Sequence, residues 1–396
     1  MPPPPVGHRG PSPSYGRSGA GPGGYGRGGV SNLGLPPGGY SPPNYAGRGP
    51  RARPPAHDAS GRLVRSATGA VVTAFANQVN SNPLHQRSTT TQDGATRTSS
   101  KVTDLLGRTV RTTDVWGTEV TTSYDSEDNP VTVRTVTKKG EATTSTYAYT
   151  EDGSVQQVTR DGTSLAQMGY DEATGRLTGA EYANGSKMSL SYDANGNITT
   201  RTLTIGGDEA SEQVSLSPAG RTMRRQVTGP STDATWAYSY DRDGRLIKAD
   251  LSGSAPEGAR TGSWAYEVNN ASERTRIKSP YTSPEGFTYS YGPSGRITAT
   301  SDPRFSGGFA YDDAGRATKA GPLSFAYDPT GLAERISDGV TTESRVLSGG
   351  QIIATAITTK DGQKAVRYSS SGLMLTTDGA IDSQMVALPG SVSVQL

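Results

Sequence analysis

The 396-residue chain contains no cysteine. That excludes disulfides, cysteine nucleophiles and thiolate metal sites, and it fits cytosolic and exported proteins alike. Histidine is scarce: His8, His57 and His85 are the only three. No apolar run approaches the ~20 residues needed to span a bilayer. No ten-residue stretch has a helical period with caps. VVTAFANQV (71–79) comes nearest and is too short to carry weight. H-E-x-x-H, EF-hand, P-loop, dinucleotide and nucleophile-elbow motifs are all missing. Apolar residues make up only 32% of the chain, which is thin for a globular core. The 19 tyrosines are therefore the candidates for core material, since one buried aromatic side chain removes ~150–250 Å² from water.

Composition divides the chain in two. Residues 1–56 hold 14 of the 26 prolines, 15 of the 51 glycines, six arginines and no acid. Such a segment cannot sustain a helix or a ladder and has little to bury, so it is expected to be a disordered tail. SYGRSGA, GYGRGGV and YAGRGP set tyrosine beside Gly-Arg. Loose RNA binding through stacking and cation–π contacts, a flexible arm without a ligand, and a stretch upstream of the true start are three readings of it. The opening MPPPPVGHRGPSPSYG lacks the n- and h-regions of a secretory leader. Residues 57–396 carry 33 bases against 37 acids.

In this second part, Asp-Gly and Asn-Gly pairs recur at 93–94, 152–153, 161–162, 184–185, 195–196, 243–244, 338–339, 361–362 and 378–379. They are hairpin signals. Tyrosine precedes glycine by four places at Tyr149/Gly153, Tyr192/Gly196, Tyr240/Gly244, Tyr291/Gly295, Tyr311/Gly315, Tyr327/Gly331 and Tyr368/Gly372. Tyr170 reaches Gly175 with one extra residue, and Tyr124-Asp125 opens a degenerate copy. An acid often follows the ring (Asp171, Asp193, Asp241, Asp312, Asp328), and arginine often follows the glycine (Arg245, Arg296, Arg316). The copies recur mostly every 20–26 residues, which marks a repeat architecture.

The unit has a physical reading. Trp236, Tyr238 and Tyr240 alternate with Ala237 and Ser239, so the rings share one strand face. Asp241 opens a turn by accepting a backbone N–H. Gly244 closes it where φ is positive. Arg245-Leu246-Ile247 begins the return strand. One hairpin is marginal alone, so successive hairpins are expected to stack into one continuous twisted sheet with a ladder of rings. Full burial of a ring would make its removal cost ~3–5 kcal/mol. The fold class is all-β: repetitive antiparallel hairpins in a long curved sheet.

YxYDxxGRL at this spacing resembles the RHS, or YD, repeat, from about residue 57 to the end. The resemblance implies a sheet that spirals into a hollow shell around a toxic C-terminal domain, as in bacterial RHS proteins, toxin-complex shells and teneurins. QMVALPGSVSVQL (384–396) looks like a stretch that precedes the core region in actinobacterial members, with Ser391 where a second glycine is usual. The resemblance thus implies a truncated member, without core region, plug or toxin. Its implied partners are the remaining shell and a toxin cargo.

Candidate chemistry is sparse. His57 occupies the tyrosine slot of HDASGRLV and is expected to flank a turn. A spatial Ser-His-Asp set stays open. Asp328-Pro329-Thr330-Gly331 has the D-P-x-G letters of the aspartyl site that releases toxin in the family. Asp302-Pro303-Arg304-Phe305 lacks the glycine of a partner motif, and an aspartyl mechanism needs two carboxylates. No catalytic residue, metal ligand or cofactor is assigned. The expectation is a structural protein, extracellular or at the cell surface. The alternative is a module binding carbohydrate or protein on its tyrosine face, and a self-cleaving site is a third reading. Open strand edges also leave self-association possible.

Overall fold

The computed structural model describes residues 52–255, 259–388 and 392–395. Among these, 32 strands run from Ala52–His57 to Val392–Gln395. Each pairs antiparallel with the next, first in a 22-stranded sheet and then in a ten-stranded one. The described residues are all-β apart from a 3₁₀ turn at Pro303–Phe305. The expected single sheet is thus divided. The break follows strand Ile297–Thr300, where Pro303 lacks the N–H a ladder needs. The strands also begin at Ala52 rather than at His57, so residues 52–56 lie in the sheet despite their tail-like composition. The remaining tail readings fall outside the described residues, as does Ser391. VVTAFANQV supplies the strand Val71–Ala76.

Two kinds of turn alternate along the ribbon. One edge carries the tyrosine-glycine turns. The other carries the remaining links, including the tight Asp93-Gly94 and Asp161-Gly162 pairs, in which both residues have positive φ. At the tyrosine edge the pairing register slips repeatedly. Ser239 faces Lys248 but Tyr240 faces Leu246, and the same slip precedes Tyr124, Tyr170, Tyr192, Tyr291, Tyr311 and Tyr327. A bulge bends its strand and adds twist. Placed at the same edge repeat after repeat, it coils the ribbon.

The coil passes one full round. Residues 224 to 256 positions apart meet: the Tyr327 and Tyr368 turns of the later repeats, and then the 376–380 turn with the strand after it, rest on the edge of the earlier repeats opposite their tyrosine turns. The contact is made end-on, through turns and strand ends. The sheets do not close by pairing between rounds among the described residues.

Apolar burial is concentrated in two places. One cluster joins Val158, Leu165, Met168, Leu177, Met188 and Leu190 of the first round to Val386 and Leu388 of the second. The other holds Tyr238, Leu251, Trp264 and Tyr266. In strand Thr232–Tyr240 the alternation is as read: Trp236, Tyr238 and Tyr240 turn inward while Ala237 and Ser239 are exposed. Trp236 stacks parallel to Tyr238 at 6.3 Å. Full burial of the repeat rings does not hold. Tyr124, Tyr149, Tyr170, Tyr192, Tyr240, Tyr291, Tyr311, Tyr327 and Tyr368 are all half-buried, because each ends its strand at the ribbon edge.

Candidate functional site

The first candidate is the joint between repeats. The turn itself is closed by the acid. Asp241 Oδ1 accepts the backbone N–H of Arg245 at 2.8 Å, and its Oδ2 accepts Arg245 Nε at 2.6 Å. Asp312 holds Arg316 at the same two distances. Asp125 and Asp193 accept the N–H groups two and four residues on, each at 2.9 Å. The extra residue after Tyr170 changes the pattern, and Asp171 instead caps Thr174 N at 2.8 Å. Where the acid is missing, Thr150 and Ser369 hydroxyls take its place in the Tyr149 and Tyr368 turns.

Hydroxyls tie repeat to repeat. Tyr124, Tyr149, Tyr170 and Tyr192 donate to the carbonyls of Thr109, Pro130, Val155 and Leu177 at 2.7–2.8 Å. Tyr240, Tyr291, Tyr311 and Tyr327 donate to Thr222, Arg274, Ile297 and Ala317 at 2.7–2.9 Å. The acceptor usually stands two residues past the glycine of the preceding repeat, as Leu177 follows Gly175 and Ala317 follows Gly315.

Arginine completes the joint. Arg316 lies 4.6 Å from the Tyr327 ring centre and donates to the Asp328 carbonyl at 3.3 Å. Arg296 covers Tyr311 at 5.6 Å. Arg245 reaches the next turn at the Asn269 carbonyl, 3.3 Å away. The repeat glycines Gly153, Gly175, Gly196, Gly244, Gly295, Gly315, Gly331 and Gly372 have φ between 66° and 94°. At Gly315 a Cβ would also stand 2.3 Å from Arg296 Nη2. There the glycine serves its own turn and leaves room for the preceding repeat's arginine.

The second candidate is the seam between rounds. Asp328 is 1% exposed. Its Oδ2 accepts Gln92 Nε2 at 3.0 Å, while its Oδ1 accepts Thr330 N and Leu332 N, each at 2.9 Å. Trp116 Nε1 donates to Ile353 O at 3.2 Å and Tyr368 O at 3.1 Å. Asp114 Oδ2 accepts Ser370 N at 3.2 Å. Lys139 Nζ pairs with Asp378 at 2.5 Å, holding that carboxyl well below the usual range. Ile381 N donates to Glu141 Oε2 at 2.7 Å, and Arg160 meets the Gln384 amide oxygen. Sequence reading had not singled out Gln92, Asp114, Trp116 or Lys139.

Asp302 is also 1% exposed. It caps the 3₁₀ turn, pairs with Arg304 at 2.6 Å and accepts Tyr289 Oη at 3.1 Å. Burial first, then this anion, pushes the Tyr289 phenol up to about 12. Asp302 and Asp328 are thus each held by donors of their own. His57 ends its strand opposite Leu63, and His85 opens another opposite Val102. No cluster of three or more His, Cys, Asp or Glu suited to a metal occurs among the described residues. Nor is any helix there long and apolar enough to cross a membrane.

Comparison with known proteins yields one family match: residues 170–207 fit the model described as RHS Repeat. Those residues carry the Tyr170 and Tyr192 turns. Among curated proteins none matches the sequence. Among solved structures, the chain is similar to one titled TcdB2-TccC3-Cdc42, with a TM-score of 0.57 and 14% identity over 85% of this chain and 21% of that one. A second, TcdB2-TccC3 without its hypervariable C-terminal region, gives a TM-score of 0.51 and 14% identity over 84% of this chain and 20% of that one. The likeness is one of fold, and this chain spans about a fifth of the length of those chains.

Proposed function

Because the chain is an RHS/YD-repeat protein, we propose that it is a length of shell wall that performs no chemistry itself. It would act outside the cell or at its surface, enclosing or presenting a toxin together with further shell. The observation that carries this reading is the seam. A ribbon that coils past one round and rests its second round on its first has the contacts a wall needs. The carboxylates that could be taken for catalysts are already engaged: Asp328 holds Gln92 across the seam, and Asp302 caps the local 3₁₀ turn and holds Arg304.

Carbohydrate capture on the tyrosine face is less well supported. Sugar stacking needs a free ring face, and Tyr124, Tyr192, Tyr311 and Tyr327 each already carry a guanidinium within 4.6–5.7 Å. Cross-linking mass spectrometry in the native cells tests the proposal. Links to further repeat-bearing shell and to a toxin polypeptide are expected. Links confined to other classes of protein, with high-affinity binding on a glycan array, would replace it with the binding-module reading.

A further inference from the structure

Where the two rounds meet, a cavity of about 350 Å³ opens. The first round lines it with Trp116, Thr118, Lys138 and Lys139, and the second with Arg367 and Asp378 among others. The lining holds three cations against one acid. That acid is already engaged, since Asp378 is paired with Lys139. Asp114, beneath Trp116, accepts the N–H groups of Trp116, Thr118 and Ser370. Lys138 and Arg367 have no carboxylate within ion-pair distance among the described residues. The Arg367 guanidinium lies over the Trp116 ring, 4.6 Å from its centre, and its N–H fork has no acceptor among the described residues.

A second observation concerns Thr118. It is fully buried, yet its Oγ1 has no hydrogen-bond partner. Buried hydroxyls are almost always satisfied, so this one calls for an acceptor. Thr137 Oγ1, one residue before Lys138, is buried and unpartnered as well. We propose that the cavity binds a small oxyanion, a carboxylate or phosphate group. Arg367 would contact it with a planar fork and Lys138 with a point charge, and Thr118 would donate its hydroxyl. The volume lies at the lower end of small-molecule sites, so a single acidic sugar or metabolite fits better than a polymer. Such a ligand touches both rounds and would fasten them together.

Calorimetry on the full chain tests this, with inorganic phosphate and glucuronate as probes and sodium chloride at matched ionic strength as the control. Binding of either is expected, together with a rise in the melting temperature, and whichever binds more tightly identifies the class. Lys138→Gln, at an exposed position, and Arg367→Gln are each expected to weaken binding about tenfold. Thr118→Val should weaken binding while raising the melting temperature of the unliganded protein, because it removes an orphaned hydroxyl. No heat above the chloride control for either probe would overturn the proposal and leave trapped water as the partner of Thr118. So would binding that Lys138→Gln and Arg367→Gln leave unchanged, with circular dichroism showing both variants folded.

Discussion

Gln92 and Asp328 are 236 positions apart, and the glutamine amide donates to the aspartate carboxylate at 3.0 Å inside the seam. The same turn chemistry elsewhere stands in water. Asp58 accepts Ser60 N and Arg62 N at 2.9 Å with no second round against it. Asp328→Ala should therefore cost roughly 3 kcal/mol, since it strands the buried Gln92 amide at ~1–3 kcal/mol together with the part-buried N–H groups of Thr330 and Leu332. Asp58→Ala should cost clearly less, because water can replace the carboxylate at an exposed turn. Urea unfolding of both variants checks the contrast, and equal costs would mean the seam adds nothing.

Tyr192→Phe removes only the hydroxyl that reaches Leu177. The expected loss is ~0.5–1.5 kcal/mol, the net worth of one hydrogen bond. Native-state hydrogen exchange should show faster opening at the junction of the Tyr170 and Tyr192 repeats, with distant repeats unchanged.

Arg316 holds Asp312, covers Tyr327 and donates to Asp328 O. Lysine keeps the charge but has neither the planar fork nor the stacking surface. Arg316→Lys should destabilise by ~1–2 kcal/mol, combining a cation–π contact with a charge-assisted hydrogen bond. A melting temperature equal to wild type would show that charge alone suffices there.

Stability should fall at both extremes of pH. For Asp58, Asp125 and Asp241 the backbone N–H four residues on is the largest cause holding the carboxyl below its ordinary value of 3.8. A lowered folded value means that the contribution is complete above about pH 4 and is lost as pH falls through the lower folded values. Burial pushes Tyr266 up to about 12 from 10.0. Its contribution is complete below pH 10 and is lost as pH rises from there towards 12. Melting temperatures across pH 2–12 should be level in the middle, and tyrosinate absorbance should lag in the folded protein.

The repeat was legible because its signals are local. Alternation placed Trp236, Tyr238 and Tyr240 on one face, and Asp241 and Gly244 marked the turn. The depth of burial of the tyrosines stays open in the sequence, because each is the last residue of its strand, where the ribbon edge exposes it. Their hydroxyl partners were missed because a carbonyl such as Leu177 O is a backbone atom, which side-chain pattern does not reveal. The seam was out of reach for a different reason. Trp116, which occupies no repeat slot, meets Tyr368 across 252 positions. Which turns coincide after one round depends on accumulated twist, to which every bulge adds a little.

The tyrosine hydroxyl points one way along the chain. Eight repeats, from Tyr124 to Tyr327, dock on a carbonyl supplied by the chain before them, so each of those hairpins meets a finished landing place the moment it emerges. Synthesis and assembly can thus run in step, N-terminus first. Loss of a unit near the front withdraws the footing from its successor, whereas loss of the last unit leaves all earlier anchorages intact.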